Sequence, residues 1–139
     1  MRVVVPYDGS ELAEKALNHA IEQYEDADIV LLHVLDFVEA GYEAPPEAAL
    51  PGYWTEWYED AEERAEVLFE EAQEGVDRDL ETDTIVGRPA REIVEYVEEH
   101  DIDAVVMGSH GREGVSRILL GSVAEAVVRR SPVPVTVVR

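Results

Sequence analysis

The sequence predicts an α/β fold, a single doubly wound parallel sheet of five strands with helices on both faces. Five short apolar segments alternate with segments of helical periodicity, and this alternation indicates parallel strands joined by helical crossovers. The strands are almost continuously apolar, as in 3–5 and 29–35, which is typical of strands covered on both faces. A chain of 139 residues forms about one domain, so we expect one domain over 1–139.

The N-terminal half begins with an apolar strand that ends near Tyr7. The turn 8–10 follows, and its serine suits the cap of a helix. The apolar residues of that helix recur with helical spacing over 12–21. A second strand is predicted over 29–35, and the next stretch, 36–53, is predicted to be irregular because it carries three prolines and two glycines.

The C-terminal half continues the alternation of helices and strands. Gly75 suits the end of a long helix, and Pro89 suits the first turn of the next one. We expect helices over 54–74, 89–100 and 122–130, and strands over 80–86, 104–107 and 133–138.

The chain is strongly acidic. It has 32 Asp and Glu against 11 Lys and Arg, a net charge of −21, and Lys15 is its only lysine. Such a charge opposes compactness and disfavours nucleic acid and anionic membranes as partners. Salt at ~1 M shortens the Debye length to ~3 Å and removes most of the repulsion. The composition therefore suggests the salt-rich cytoplasm of an extreme halophile, and a merely acidic mesophilic protein is the alternative.

The composition also bears on location. There is no cysteine, so disulfides and thiolate metal sites are excluded. No apolar run approaches the ~20 residues of a membrane span. The opening 1–6 is too short for the core of a signal peptide, so we expect a cytoplasmic protein.

The positive charge is concentrated near the C-terminus. Residues 1–103 carry a net charge of −24 and residues 104–139 a net charge of +3. A local reversal of this kind suits an anion site in an acidic molecule. Arg129 and Arg130 could instead complement the negative end of the last helix, but that explanation does not extend to Arg112 and Arg117.

A glycine motif lies in this C-terminal region. Gly108-Ser109-His110-Gly111 follows a strand, and Gly121-Ser122-Val123 opens a helix nine residues later. Glycine lets backbone amides approach a ligand, and the first turn of a helix offers unpaired N–H groups and positive potential. Phosphate is the usual occupant of such a site. The Walker and dinucleotide glycine patterns are both absent.

The chain resembles the universal stress protein family, specifically its ATP-binding branch, over nearly its whole length. Similar segments occur in the expected order at 3–10, 31–34, 86–89, 106–111, 119–123 and 132–138. The segments 106–111 and 119–123 match most closely. The resemblance implies strand order 3-2-1-4-5 and a homodimer built partly through the last strand.

The resemblance also implies roles for individual residues in binding ATP. Asp8 would meet the ribose or a metal-linked water, and Gly108 would pass close to the ribose. Arg112 would help hold the triphosphate, and any Mg²⁺ would be held largely by phosphate oxygens. Pro6, Tyr7, Val34 and Met107 would border the adenine and sugar, and Gly111, Gly121, Ser122 and Val123 would supply donors to the phosphates.

Each of these roles has a structural alternative. Asp8 could be only a turn residue, and Ser122 only a helix cap. Gly111 and Gly121 could serve close packing. Arg112 and Arg117 could be solvated. His110 could touch phosphate, but we expect it to face solvent; a metal site made by protein side chains is not expected, since the other histidines lack ligand spacing.

Aromatic residues concentrate in 36–58, which holds six of the ten in the chain, including both tryptophans. We expect Trp54 and Trp57 to anchor their helix against the sheet. A lid or a partner surface is the alternative.

Three functions remain open at this point. The first is an ATP-binding regulatory protein of the stress response, with at most slow hydrolysis and no catalytic residue. The second is a dimeric interaction module that binds no nucleotide. The third is an adenylyl- or phosphoryl-transferring enzyme, for which Asp8, His110 and Arg112 are the only candidate catalytic groups.

Overall fold

A computed structural model describes residues 1–110 and 120–139, and within them five parallel strands form one sheet. The strands are β1 (Arg2–Pro6), β2 (Asp28–Leu35), β3 (Glu81–Val86), β4 (Ala104–Gly108) and β5 (Val135–Val138). Their order across the sheet is β3-β2-β1-β4-β5. This confirms the predicted fold class and strand order.

Helices connect and cover the strands. They are α1 (Glu11–Gln23), α2 (Phe37–Tyr42), α3 (Tyr53–Glu74), α4 (Pro89–Glu99) and α5 (Ser122–Arg130). No helix within the described ranges is both long enough and apolar enough to cross a membrane.

Two buried cores lie on opposite faces of the sheet. Val3 and Val5 of β1 pack with residues of α1 and α3 on one face, and Val4 packs with residues of α4 and α5 on the other. All three valines are fully buried. Because successive side chains of a strand point to opposite faces, a strand between two helical layers must be apolar throughout, which explains the continuous runs in the sequence.

The predicted helix ends are confirmed. The Ser10 hydroxyl accepts the Ala13 amide at 3.2 Å and caps α1. Gly75 follows the last residue of α3, and Pro89 is the first residue of α4.

The prediction that 36–53 is irregular is wrong in part. This stretch contains α2 and a 3-10 turn at Pro46–Ala49. The Asp36 carboxylate accepts the Glu39 amide at 3.0 Å and so caps α2. A helix of six residues is too short to show periodicity in the sequence.

The last strand begins two residues later than predicted, at Val135. The Ser131 hydroxyl accepts the Val133 amide at 3.1 Å, which holds Val133 in a turn. Pro134 has no amide hydrogen to donate, although its carbonyl accepts the Val105 amide at 2.9 Å.

Candidate functional site

A tight turn follows the central strand β1 at the carboxyl edge of the sheet. The Ser10 amide donates to Asp8 Oδ1 at 2.9 Å, and the Tyr7 amide donates to the Leu32 carbonyl at 2.8 Å. His33 Nδ1 lies 2.8 Å from the Tyr7 carbonyl oxygen; since a carbonyl can only accept, this nitrogen carries the proton. Bonds to β2 and to the α1 cap therefore fix the position of Asp8.

A cavity of about 620 Å³ opens beside this turn, between the carboxyl end of β2 and helices α2 and α3. We call it the β1–β2 cavity. Apolar residues of β2 and α3 form much of its wall, Val34 and Trp57 among them. Its polar lining comes from Asp8, His33, Asp36, Glu39, Glu43 and Arg64. The four carboxylates outnumber the one guanidinium, so the charge of the lining disfavours an anion.

A second group of candidate residues lies where β4 leads toward α5, on the other side of β1. We call Gly108–His110 together with Gly121–Val123 the β4–α5 junction. The Ser109 amide donates to the Val138 carbonyl at 2.8 Å, and the Gly121 amide donates to the Ser109 carbonyl at 2.7 Å. The two ends of the glycine motif are thereby held together at the end of the sheet.

The bond from Gly121 corrects one expected role. Its amide is used within the chain, so Gly121 does not offer the phosphate donor that the resemblance implies. Gly121 also holds the cap position of α5, and Ser122 is the first helical residue; the alternative of Ser122 as a cap is therefore wrong.

The first turn of α5 carries the remaining expected donors. The first intrahelical bond runs from the Glu125 amide to the Gly121 carbonyl, so the amides of Ser122, Val123 and Ala124 precede the helical ladder. No side chain of residues 1–110 or 120–139 caps this end. Three amides that precede the helical ladder thus lie at the positive end of the helix dipole, which is the usual arrangement for binding a phosphate.

Two glycines of the junction sit against backbone. A Cβ on Gly108 would lie 2.8 Å from Leu12 Cβ and 3.2 Å from the Leu12 carbonyl carbon and oxygen. A Cβ on Gly121 would lie 3.0 Å from the Ser109 carbonyl oxygen. Close packing thus accounts for both glycines, whether or not a ligand also approaches them.

His110 does not face solvent as expected. Its side chain is half-buried, and Nδ1 lies 3.0 Å from the Ser109 hydroxyl. Its Nε2 atom is buried and has no hydrogen-bond partner among the described residues. The expectation of a solvated histidine is wrong because the ring packs beside the start of α5.

Three further expected ligand neighbours occupy different environments. Tyr7 is 5% exposed and packs in the core under α1 and α3, and Met107 is 4% exposed in the opposite core. Burial raises the pKa of the Tyr7 phenol, with a smaller contribution from Glu14. Pro6 is half-buried at the end of β1. Their contacts with a ligand stay predictions.

Gly111, Arg112 and Arg117 lie outside the described residues. Asp8 and Val34 meet in the β1–β2 cavity, and Gly108, Ser122 and Val123 belong to the β4–α5 junction. The expected site residues therefore fall into two neighbouring groups rather than one cavity.

The two tryptophans pack on α2 rather than on the sheet. The Phe37 ring lies 4.9 Å from the Trp54 ring and 6.0 Å from the Trp57 ring, between centroids. The buried residues of α3 are Ala61, Ala65, Phe69 and Ala72. The expected anchoring is therefore corrected: the tryptophans fasten α2 to α3.

The sequence reasoning missed most of the lining of the β1–β2 cavity, including Trp57 and Arg64. It also missed the Ser109 carbonyl, which accepts the Gly121 amide. Arg64 gave a signal, since it is the one basic residue among nine acidic residues of α3. The bond that the Ser109 carbonyl accepts could not be predicted, because every residue has a backbone carbonyl.

Comparison with known proteins agrees with this fold. The chain matches the model of the Universal stress protein family over residues 1–139. It is 36% identical to universal stress protein MJ0531 of Methanocaldococcus jannaschii, over 99% of this chain and 81% of that protein. The solved structure of MJ0577, a universal stress protein of the same organism, superimposes with a TM-score of 0.77 at 34% identity, covering 99% of this chain and 94% of that one.

A third relative was solved with a nucleotide. A universal stress protein in complex with cAMP is 25% identical, with a TM-score of 0.67, and the match covers 100% of this chain and 97% of that one. The family match spans the whole chain and the sheet order agrees with it. The chain therefore belongs to the universal stress protein family.

Proposed function

We propose that this protein binds ATP and acts as a nucleotide-dependent regulator in a stress response. The observation that carries the proposal is the first turn of α5, which no side chain of the described residues caps. The bond from Gly121 to Ser109 holds this turn at the carboxyl end of β4. Ligands of open α/β sheets bind at this edge, where the strand order reverses. A relative solved with cAMP supports a nucleotide as the ligand.

The two groups of site residues would divide the nucleotide between them. The amides of Ser122 and Val123 would bind the phosphates, in the part of the chain that carries a net charge of +3. The β1–β2 cavity, with Asp8 and Val34 in its lining, would take the base and ribose. Its carboxylates favour this orientation because they repel phosphates and accept bonds from ribose hydroxyls and base amino groups.

We assign no catalytic residue and expect hydrolysis to be slow at most. Asp8 Oδ1 accepts the Ser10 amide, which suits a structural carboxylate better than a general base. Mg²⁺ would be held mainly through the phosphates, because that ion keeps its waters and prefers phosphate oxygens in such sites.

The proposal also covers the oligomeric state and the cellular location of the protein. β5 is an edge strand of the sheet, and its four residues are half-buried, so a homodimer through β5 would cover it. We also propose a cytoplasmic protein of a salt-rich cell, on the basis of the acidic composition.

The first experiment asks whether nucleotide is present. Protein purified in high salt is denatured, and released nucleotide is identified by mass. The refolded protein is then titrated with MgATP while tryptophan emission is followed, since Trp57 lines the β1–β2 cavity. An absence of binding at millimolar ATP would reject the proposal and leave an interaction module.

The second experiment removes one phosphate donor. Ser122→Pro deletes the amide hydrogen at the first helical position, where proline is tolerated. Gly121 has φ −72° and ψ 166°, which suits a residue before proline. We expect ATP affinity to fall about tenfold, as for loss of one bond to a charged group, with the unfolding midpoint unchanged.

Ser122→Ala is the matched control, because it removes the hydroxyl and keeps the amide. It should bind ATP like the unmodified chain. Equal losses in both variants would assign the effect to the side chain and contradict a phosphate site made of amides.

A further inference from the structure

The β4–α5 junction contains a polar atom without a partner. His110 Nε2 is buried, and it is the one buried side-chain nitrogen or oxygen within 1–110 and 120–139 that has no hydrogen-bond partner. Buried polar atoms in native proteins are nearly always hydrogen-bonded, because an unpaired one bears its full desolvation cost. The atom therefore calls for a partner that residues 1–110 and 120–139 do not provide.

The position of the ring is fixed by its neighbours. The buried Ser109 hydroxyl lies 3.0 Å from Nδ1, and Ser109 is only 2% exposed. The ring also lies against the cap of α5, since a Cβ on Gly121 would come within 3.7 Å of His110 Cδ2. The imidazole is thus held beside Gly121, the residue that precedes the first turn of α5.

The serine also bears on which ring nitrogen carries the proton. When the Ser109 hydroxyl donates to Nδ1, the neutral imidazole carries its hydrogen on Nε2, because the two nitrogens take opposite roles. Nε2 then needs an acceptor. A phosphate oxygen is such an acceptor, and it would also be drawn to the positive end of α5.

We propose that His110 Nε2 donates a hydrogen bond to a phosphate oxygen of the bound nucleotide. This inference rests on the proposed function and deepens it. His110 would act with the amides of α5 on the same phosphate group, and it would favour nucleotides over nucleosides. The bond would form on binding and would relieve the unpaired nitrogen.

The test compares two ligands, ATP and adenosine, on three forms of the full chain. His110→Leu removes the donor. His110→Gln places an amide nitrogen close to the position of Nε2. For His110→Leu we expect ATP affinity to fall about tenfold, as for loss of a bond to a charged group, and adenosine affinity to stay unchanged. His110→Gln should restore most of the ATP affinity.

His100→Leu is the matched control. That histidine follows α4, and its carbonyl accepts a bond from Arg2 at the start of β1, at the edge of the sheet opposite the site. It should leave both affinities unchanged. If His110→Leu does not fold, His110→Asn replaces it, since its shorter amide reaches the Nδ1 position and not Nε2.

The outcomes separate the two proposals. If the unmodified chain binds no ATP, the proposed function fails. If it binds ATP and the loss variant binds ATP equally well, or loses ATP and adenosine affinity in equal measure, His110 does not contact phosphate and this inference alone is overturned. A loss confined to ATP and reversed by Gln supports it.

Discussion

Close contacts of single atoms determine which residues the β4–α5 junction can hold and which of its amides are bonded. Gly108 has space for a hydrogen but not for a Cβ, because α1 crosses β4 at Leu12. The Gly121 amide donates to the Ser109 carbonyl, whereas the amides of Ser122, Val123 and Ala124 precede the helical ladder. This contrast between neighbouring amides is what makes this helix start a candidate site.

The packing of Gly108 leads to a stability prediction. Gly108→Ala should lower the free energy of unfolding by about 1–3 kcal/mol, the usual cost of overpacking, because the new methyl would meet Leu12 at 2.8 Å. Chemical denaturation in high salt measures the change. Gly41→Ala is the control: nothing lies within 4 Å of its Cβ position, and in a helix alanine should stabilise slightly.

If Gly108→Ala and Gly41→Ala had the same effect, α1 would not lie as close to β4 as the structure has it.

Among the elements, the strands were the most predictable part of the chain. Continuous apolar runs identify β1, β2 and β4 because both faces of the sheet are covered there. The edge strand β3 has the sequence ETDTIV and exposed or half-buried residues, and its alternating pattern predicted it. All five strands were found. The short helix α2 was missed because its cap, Asp36, precedes only six helical residues. The start of β5 was misplaced because the Ser131 turn depends on a local bond.

The site was predictable only in part. Asp8 and Val34 were identified through the family resemblance, and both line the β1–β2 cavity. The engagement of the Gly121 amide depends on a tertiary contact that no motif encodes. Trp57 packs against Phe37, beside the cavity that it lines. The sequence does not show this tertiary contact either.

The attachment of α2 leads to a prediction at this scale. Phe37→Ala removes the ring that contacts Trp54 and Trp57. We expect faster hydrogen exchange over 36–50, red-shifted tryptophan emission and weaker adenosine binding, because Asp36, Glu39 and Glu43 line the cavity from this segment. The core strands should keep their protection.

Tyr42→Ala provides the control, since Tyr42 lies on the same helix and is 88% exposed. If Tyr42→Ala loosened 36–50 as much as Phe37→Ala does, the aromatic cluster would not be what holds α2.

Across the whole molecule, charge is the dominant property. The net charge is −21, and α3 presents nine acidic residues with one arginine. The ion pairs Arg91–Glu95 and Arg129–Glu125 are exposed and stabilise little. Repulsion therefore opposes folding unless salt screens it.

The thermal midpoint should rise as KCl increases from 0.1 M to 2 M, because the Debye length falls from ~10 Å to ~3 Å by 1 M. A variant that replaces four exposed carboxylates of α3 by glutamine should be more stable at low salt and respond less to KCl. The residues for that variant are Glu59, Glu63, Glu66 and Glu70. An unmodified chain whose midpoint did not move with salt would contradict the halophilic interpretation.

The bond from the Ser109 amide to the Val138 carbonyl joins the β4–α5 junction to the final strand of the chain. Any neighbour that added a strand to β5 would lie one strand away from Ser109. Ligand binding at the β4–α5 junction and strand pairing at β5 would then be energetically linked, and linkage is reciprocal. Ligand binding and the pairing of a partner strand would then affect each other through one backbone hydrogen bond, without movement of either core.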